Sequence, residues 1–253
     1  MFETEAGVLD EPILWISDTT PDPAIWGFLR SQHPHTGLWP LLLEGHHAEP
    51  DRPWTSGELD PDLIESDPSD HDPNQLLAGW WSDYTALEEG DWLTDAERIA
   101  VTAPFEDRWP GLAPPGQLQQ DPDALAAEFA EELVTFPWFD PASRLGLSVS
   151  ERSADAPAAL GWSGPVNYDN DTAKFCAILR SWEDRFGVRV VAMGFATLHL
   201  SVAAPPAELD HALHVAAEHF AFCPDNVWQS GIATLTRYAE KLINRPWWSF
   251  WWD

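Results

Sequence analysis

The sequence predicts an α+β fold. Residues 147–253 read as an α-β-β-α-α-β domain with a small antiparallel or mixed sheet and helices on one face, and residues 1–146 as an acidic N-terminal region containing a β-α-β unit. Three observations carry this. Apolar residues recur every three or four positions in several C-terminal stretches, the pattern of a helix face. Between Val188 and Val202 the spacing shortens to every second residue, the pattern of a half-covered strand. Charge is also uneven: residues 1–150 carry thirty Asp or Glu against five Arg and no Lys, whereas residues 151–253 carry twelve against eight basic residues.

Taken in order, Pro12–Ile16 reads as a short strand, and Ala24–Ser31 as a helix with Pro23 in its first turn. Leu38–Leu43 reads as a second strand, placed at a sheet edge because Pro40 has no amide hydrogen to donate. Residues 55–74 alternate Asp and Glu with Pro and Ser and predict a mobile surface loop. An aromatic cluster follows at Trp80, Trp81, Trp92, Phe105 and Trp109. Asp123–Phe136 has a helix stripe of Leu125, Phe129, Leu133 and Phe136. Asp171 is a natural N-cap for a helix with stripe Phe175, Leu179, Trp182 and Phe186, which Gly187 ends. Two strands, Val188–Met193 and Thr197–Val202, flank Gly194, whose place suits the first central position of a type II′ hairpin. A helix with stripe Leu209, Leu213, Ala216, Phe220 and Cys223 comes next, then another over Ile232–Ile243. In the terminal strand Trp248, Phe250 and Trp252 share one face, and Trp247, Ser249 and Trp251 the other.

A formal charge of −29 disfavours nucleic acid and anionic membrane surfaces, whose recognition rests on Lys and Arg; a cationic partner such as a basic protein, or no partner, is favoured. The same charge also serves simply to keep a chain with sixteen tryptophans soluble. Two cysteines, an acidic N-terminus (Met1, Phe2, Glu3) and no long apolar run point to a soluble protein of the cytoplasm.

Several residue groups invite a chemical reading. Cys223 has His219 one helical turn before it and Asp225 two residues after, the makings of a nucleophile, yet it falls on an apolar stripe where cysteine is usually core. His211, His214 and Glu218 share a helix face at metal-ligand spacing, but polar residues belong there in any case and the H-E-x-x-H signature is absent. His33, His35, His46 and His47 lack a carboxylate at a telling spacing. Gly161 to Pro165 departs from the nucleophile elbow and reads as a turn. Phosphate-binding glycine loops and paired C-x-x-C motifs do not occur, so neither cofactor nor metal is expected. Most tryptophans should be core. The residues singled out for binding are Trp247, Trp251, Trp228 and Asp225.

Ala159 to Pro165 (Ala-Leu-Gly-Trp-Ser-Gly-Pro), Leu179 to Gly187, Ala217 to Asp225 and the terminal Trp-Ser-Phe-Trp-Trp resemble the bacterial domain of unknown function 4253, over about residues 145–253. Pro53-Trp54, Gly79-Trp80-Trp81 and the segment from Trp109 to Pro114 resemble longer actinobacterial members. The resemblance implies no catalytic or binding residue. The expectation is a non-enzymatic interaction protein, an acidic antagonist or immunity-type partner. The competing reading is an enzyme or small-molecule binder with a tryptophan-lined cleft between the two halves.

Overall fold

The computed structural model describes residues 3–4, 7–8, 12–22, 24–46, 48–86, 94–232 and 234–253. Pro23, His47, Trp92 and part of the acidic N-terminal stretch lie outside the described residues. Strands β1 (Glu3–Thr4) and β2 (Gly7–Val8) pair with each other. The remaining strands are β3 (Leu14–Ile16), β4 (Leu38–Leu43), β5 (Arg144–Val149), β6 (Val188–Met193), β7 (Thr197–Val202) and β8 (Trp247–Trp251). They form one open sheet in the order β3-β5-β4-β6-β7-β8, antiparallel throughout except for the parallel pair β4 and β6.

This order revises the N-terminal expectation. β3 and β4 both run antiparallel to β5, so they are parallel to each other and joined by helix α1 (Ile25–Thr36), but β5 has slipped between them. β4 is therefore central, not an edge strand. Pro40 is tolerated because β4 pairs with β6 only beyond it, at Leu42 and Leu43, while the indole of Trp39 donates to the Val190 carbonyl of β6 at 2.9 Å. β5 runs through the position where sequence placed a boundary: Leu147 pairs with Trp15 on one side and Pro40 on the other.

The helices are α2 (Pro73–Thr85), α3 (Asp95–Thr102), α4 (Pro122–Leu133), α5 (Ala156–Ala159), α6 (Thr172–Phe186), α7 (Leu209–Phe222), α8 (Asp225–Trp228) and α9 (Leu235–Leu242). α6 forms as its sequence dictates: Asp171 accepts from the Ala173 amide, the Phe175, Leu179, Trp182 and Phe186 stripe is buried, and Gly187 ends it at φ 60°. α9 starts later than periodicity suggests, at Leu235, because Thr234 caps it by accepting from the Arg237 amide. α7 buries Ala216, Phe220 and Cys223 of its expected stripe, but burial is not confined to that stripe. Leu209 is exposed, while Glu218 and His219 are fully buried between α6 and α9.

Trp248 and Phe250 of β8 pack on Trp182 of α6, and the alternate residue Trp247 packs on Phe129 of α4. Helices thus cover both faces, the second layer coming from α1 and α4 of the N-terminal region. Residues 55–74 are also tied down rather than loose. They contain two 3-10 turns, bury Leu59 and Asp60, and dock through the Asp60 amide to Gly161 and through Ser66 to Asp171.

Candidate functional site

The structure divides the four residues singled out for binding among three environments. Trp247 is half-buried, its ring stacked on Phe129 at 6.0 Å and 15° and its centroid 3.4 Å from the Arg245 guanidinium carbon. Trp138, 51% exposed, leans on Trp247 from the N-terminal region. Trp251 is half-buried, and its carbonyl accepts from the Cys223 thiol.

Between these two tryptophans, on the same face of β8, Ser249 faces a group that sequence reasoning did not assemble. His199 of β7 stands directly opposite Ser249, and its Nδ1 lies 2.8 Å from Ser249 Oγ. Its Nε2 lies 2.7 Å from Glu44 Oε2, which also accepts from Thr197 Oγ1 at 2.9 Å. Glu44 follows the last residue of β4 and must reach past the end of β6 to make these bonds. Gly194 lets it do so. A methyl group there would lie 2.1 Å from Thr197 Oγ1 and 3.3 Å from Glu44 Oε2. The glycine does not have positive φ, so the type II′ expectation gives way: the residue is needed for space and not for its backbone angle. Burial pushes the Glu44 carboxyl upward, but bonding and charge from His199, with help from Thr197 and the Asp140 amide, leave it below its ordinary range. In the tautomer in which Nε2–H donates to Glu44, Nδ1 is left as the acceptor for the Ser249 hydroxyl. This is the polarity of a serine–histidine–acid array with the two ring nitrogens exchanged.

Cys223 is not placed for nucleophilic chemistry. It is fully buried, burial pushes its thiol far up, and its Sγ–H caps the Trp251 carbonyl at 2.9 Å. Asn226 caps the Ser249 carbonyl in the same way, at 2.8 Å, and also donates to Tyr238 Oη. These two side chains close the outer edge of β8. His219, one turn before Cys223, meets Tyr238 Oη at 3.1 Å and packs against Trp248 at 4.4 Å; burial pushes its imidazole well below the ordinary value. Asp225 is likewise enclosed, accepting from Tyr168, Gln229 and the Asp253 amide.

The helix-face metal reading separates in space. Glu218 accepts from Arg185 at 2.6 and 2.8 Å, from the Trp182 indole at 2.7 Å and from the Ala113 amide at 2.6 Å, fixing residues near 113 to α6 and α7. His211 instead meets the Pro114 carbonyl, and His214 the Asp210 carbonyl. Among the described residues no group of three or more His, Cys, Asp or Glu is placed to hold a metal ion.

Trp228, 39% exposed, lies in a cleft of about 450 Å³ between α2, α3, α7 and α8. Its ring meets Tyr84 at 5.8 Å and Phe220 at 5.3 Å, both nearly perpendicular. Glu106 and Asp107, both exposed, stand at the rim with Arg98, whose guanidinium donates to the Tyr84 carbonyl at 3.3 Å. Sequence pointed to Trp228 but not to this cleft, because its walls come from segments more than a hundred residues apart.

Residues 144–253 match the family model described as Domain of unknown function (DUF4253). The DUF4253 match begins at the first residue of β5 and takes in His199, Ser249 and Trp228, while Glu44, Trp138 and Tyr84 lie upstream of it. No curated protein and no solved structure is found to match the chain. Among the described residues no helix is long and apolar enough to cross a membrane.

Proposed function

We propose that the protein acts by binding, as an acidic interaction protein whose partner is a basic protein, in an antagonist or immunity-type role. The observation that supports this is how its charges are spent. Arg30, Arg52, Arg144, Arg152, Lys174, Arg180, Arg185 and Arg189 each pair with an Asp or Glu of the same chain, yet forty-two acidic residues stand against thirteen basic ones. The acidic excess is therefore left to face outward, where it steers a cationic partner and repels anionic ones. Trp15, Trp138 and Trp228 are half-exposed amid that charge, and large rings of this kind anchor protein interfaces. Two buried free cysteines suit a reducing compartment such as the cytoplasm. Purifying the tagged chain from its native host at low salt should retain a basic protein in fixed stoichiometry that salt releases. Recovery of no stable partner would count against the role.

A second reading rests on the Ser249, His199 and Glu44 array: a hydrolase in which Ser249 Oγ attacks an acyl carbon, His199 Nδ1 takes its proton and gives it to the leaving group as the acyl bond to that group breaks, and water then frees the acyl group from Ser249. A fluorophosphonate probe separates the two. Covalent labelling of Ser249 that is lost in His199→Ala would favour the hydrolase, and an unlabelled native protein favours the binding role.

A further inference from the structure

We propose that the Trp228 cleft receives an arginine side chain of the basic partner. The proposal rests on the binding role above and names the place where one contact of that interface is made. Three features of the cleft select a guanidinium. Trp228, Tyr84 and Phe220 present aromatic surface, and an aromatic face attracts a cation through its quadrupole. Glu106 and Asp107 place two adjacent carboxylates at the rim, and a planar guanidinium can stack on a ring while its N–H fork reaches a carboxylate. Arg98, a cation among the lining residues, donates to the Tyr84 carbonyl, so its guanidinium is held by the backbone of α2. Glu106 is also held in the left-handed region, at φ 59°, with its amide bonded to the Thr102 carbonyl; side chains rarely adopt that conformation.

The fold already uses this pairing with its own arginines. Arg30 lies over Trp39 at 4.6 Å, Arg52 over Phe195 at 4.8 Å, and Arg245 over Trp247 at 3.4 Å. In the first two, the same guanidinium also bonds a carboxylate, Asp123 for Arg30 and Glu58 for Arg52. The Trp228 cleft likewise has aromatic rings and two carboxylates among its lining residues.

The test is a titration of the full-length, ¹⁵N-labelled protein with blocked Gly-Arg-Gly, with blocked Gly-Glu-Gly as control, read at the Trp228 indole N–H. That resonance is assigned by its loss in Trp228→Phe. Gly-Arg-Gly should shift it saturably. Glu106→Gln with Asp107→Asn, both exposed and remote from the core, should weaken binding by about tenfold. An unmoved Trp228 resonance, an equal shift with Gly-Glu-Gly, or undiminished binding in the double variant would overturn the proposal. A longer Arg-rich peptide separates this failure from failure of the binding role: if it still binds the double variant as tightly as the parent, the role stands and the cleft assignment falls.

Discussion

Cys223 and His219 were the residues whose sequence spacing most suggested chemistry, and their burial decides against it. Both belong to α7 or its C-cap and are fully buried, His219 inside the aromatic packing of Trp182, Trp248 and Phe250. Iodoacetamide should leave Cys176 and Cys223 unmodified in the native protein and label both once it is unfolded, as mass spectrometry would read; both are buried and their thiols are pushed far up by burial. His219 gives a pH dependence with a definite sign. Its folded value is depressed, so below about pH 6.5 the unfolded chain binds a proton that the folded chain does not, and stability falls as pH falls through that point. Urea midpoints between about pH 7.5 and 5 should drop more steeply in the parent than in His219→Gln. Equal slopes would remove His219 as the cause. Spacing showed that His219, Cys223 and Asp225 were neighbours in the chain, but it could not show that α6 and α9 enclose His219.

At the scale of elements, local signals were legible where a cap or stop lay within one turn. Asp171 and Gly187 bound α6 as read. The terminal strand alternates as its sequence suggests, with Trp248 and Phe250 against the helices and Trp247 on the opposite face. Contacts across the sheet were not legible. Sequence put His199 on the strand Thr197–Val202, yet its partners Glu44 and Ser249 come from other segments, and only the register brings them together. The β6–β7 turn tests that arrangement. Gly194→Ala should cost about 1–3 kcal/mol in urea unfolding, because the added methyl must displace Thr197 or the reaching Glu44 carboxylate. A neutral substitution would mean that the turn relaxes freely and the glycine is not needed for space.

For the whole molecule, the sequence divided the chain by charge, whereas the sheet is continuous. β4, at residues 38–43, sits between β5 and β6, which both belong to the DUF4253-matching segment. Nothing in a local window reveals such an insertion, since periodicity reports which face of a strand is apolar and not which strand lies beside it. Residues 144–253 expressed alone would leave β5 and β6 with facing edges unpaired, and should give poorly dispersed amide spectra where the full chain gives dispersed ones. A well-dispersed fragment would show that it folds without β4. The acidic excess is the other property of the whole molecule, and the proposed binding role rests on it. The most direct measurement is a calorimetric titration of the full chain with an Arg-rich peptide and with its Gln-substituted counterpart. It is made at roughly 0.01 M and roughly 1 M salt, between which the Debye length falls from about 30 to about 3 Å. The account predicts saturable one-to-one binding of the cationic peptide alone, strong at low salt and lost at high salt. Binding of both peptides alike, or of neither at low salt, would contradict it.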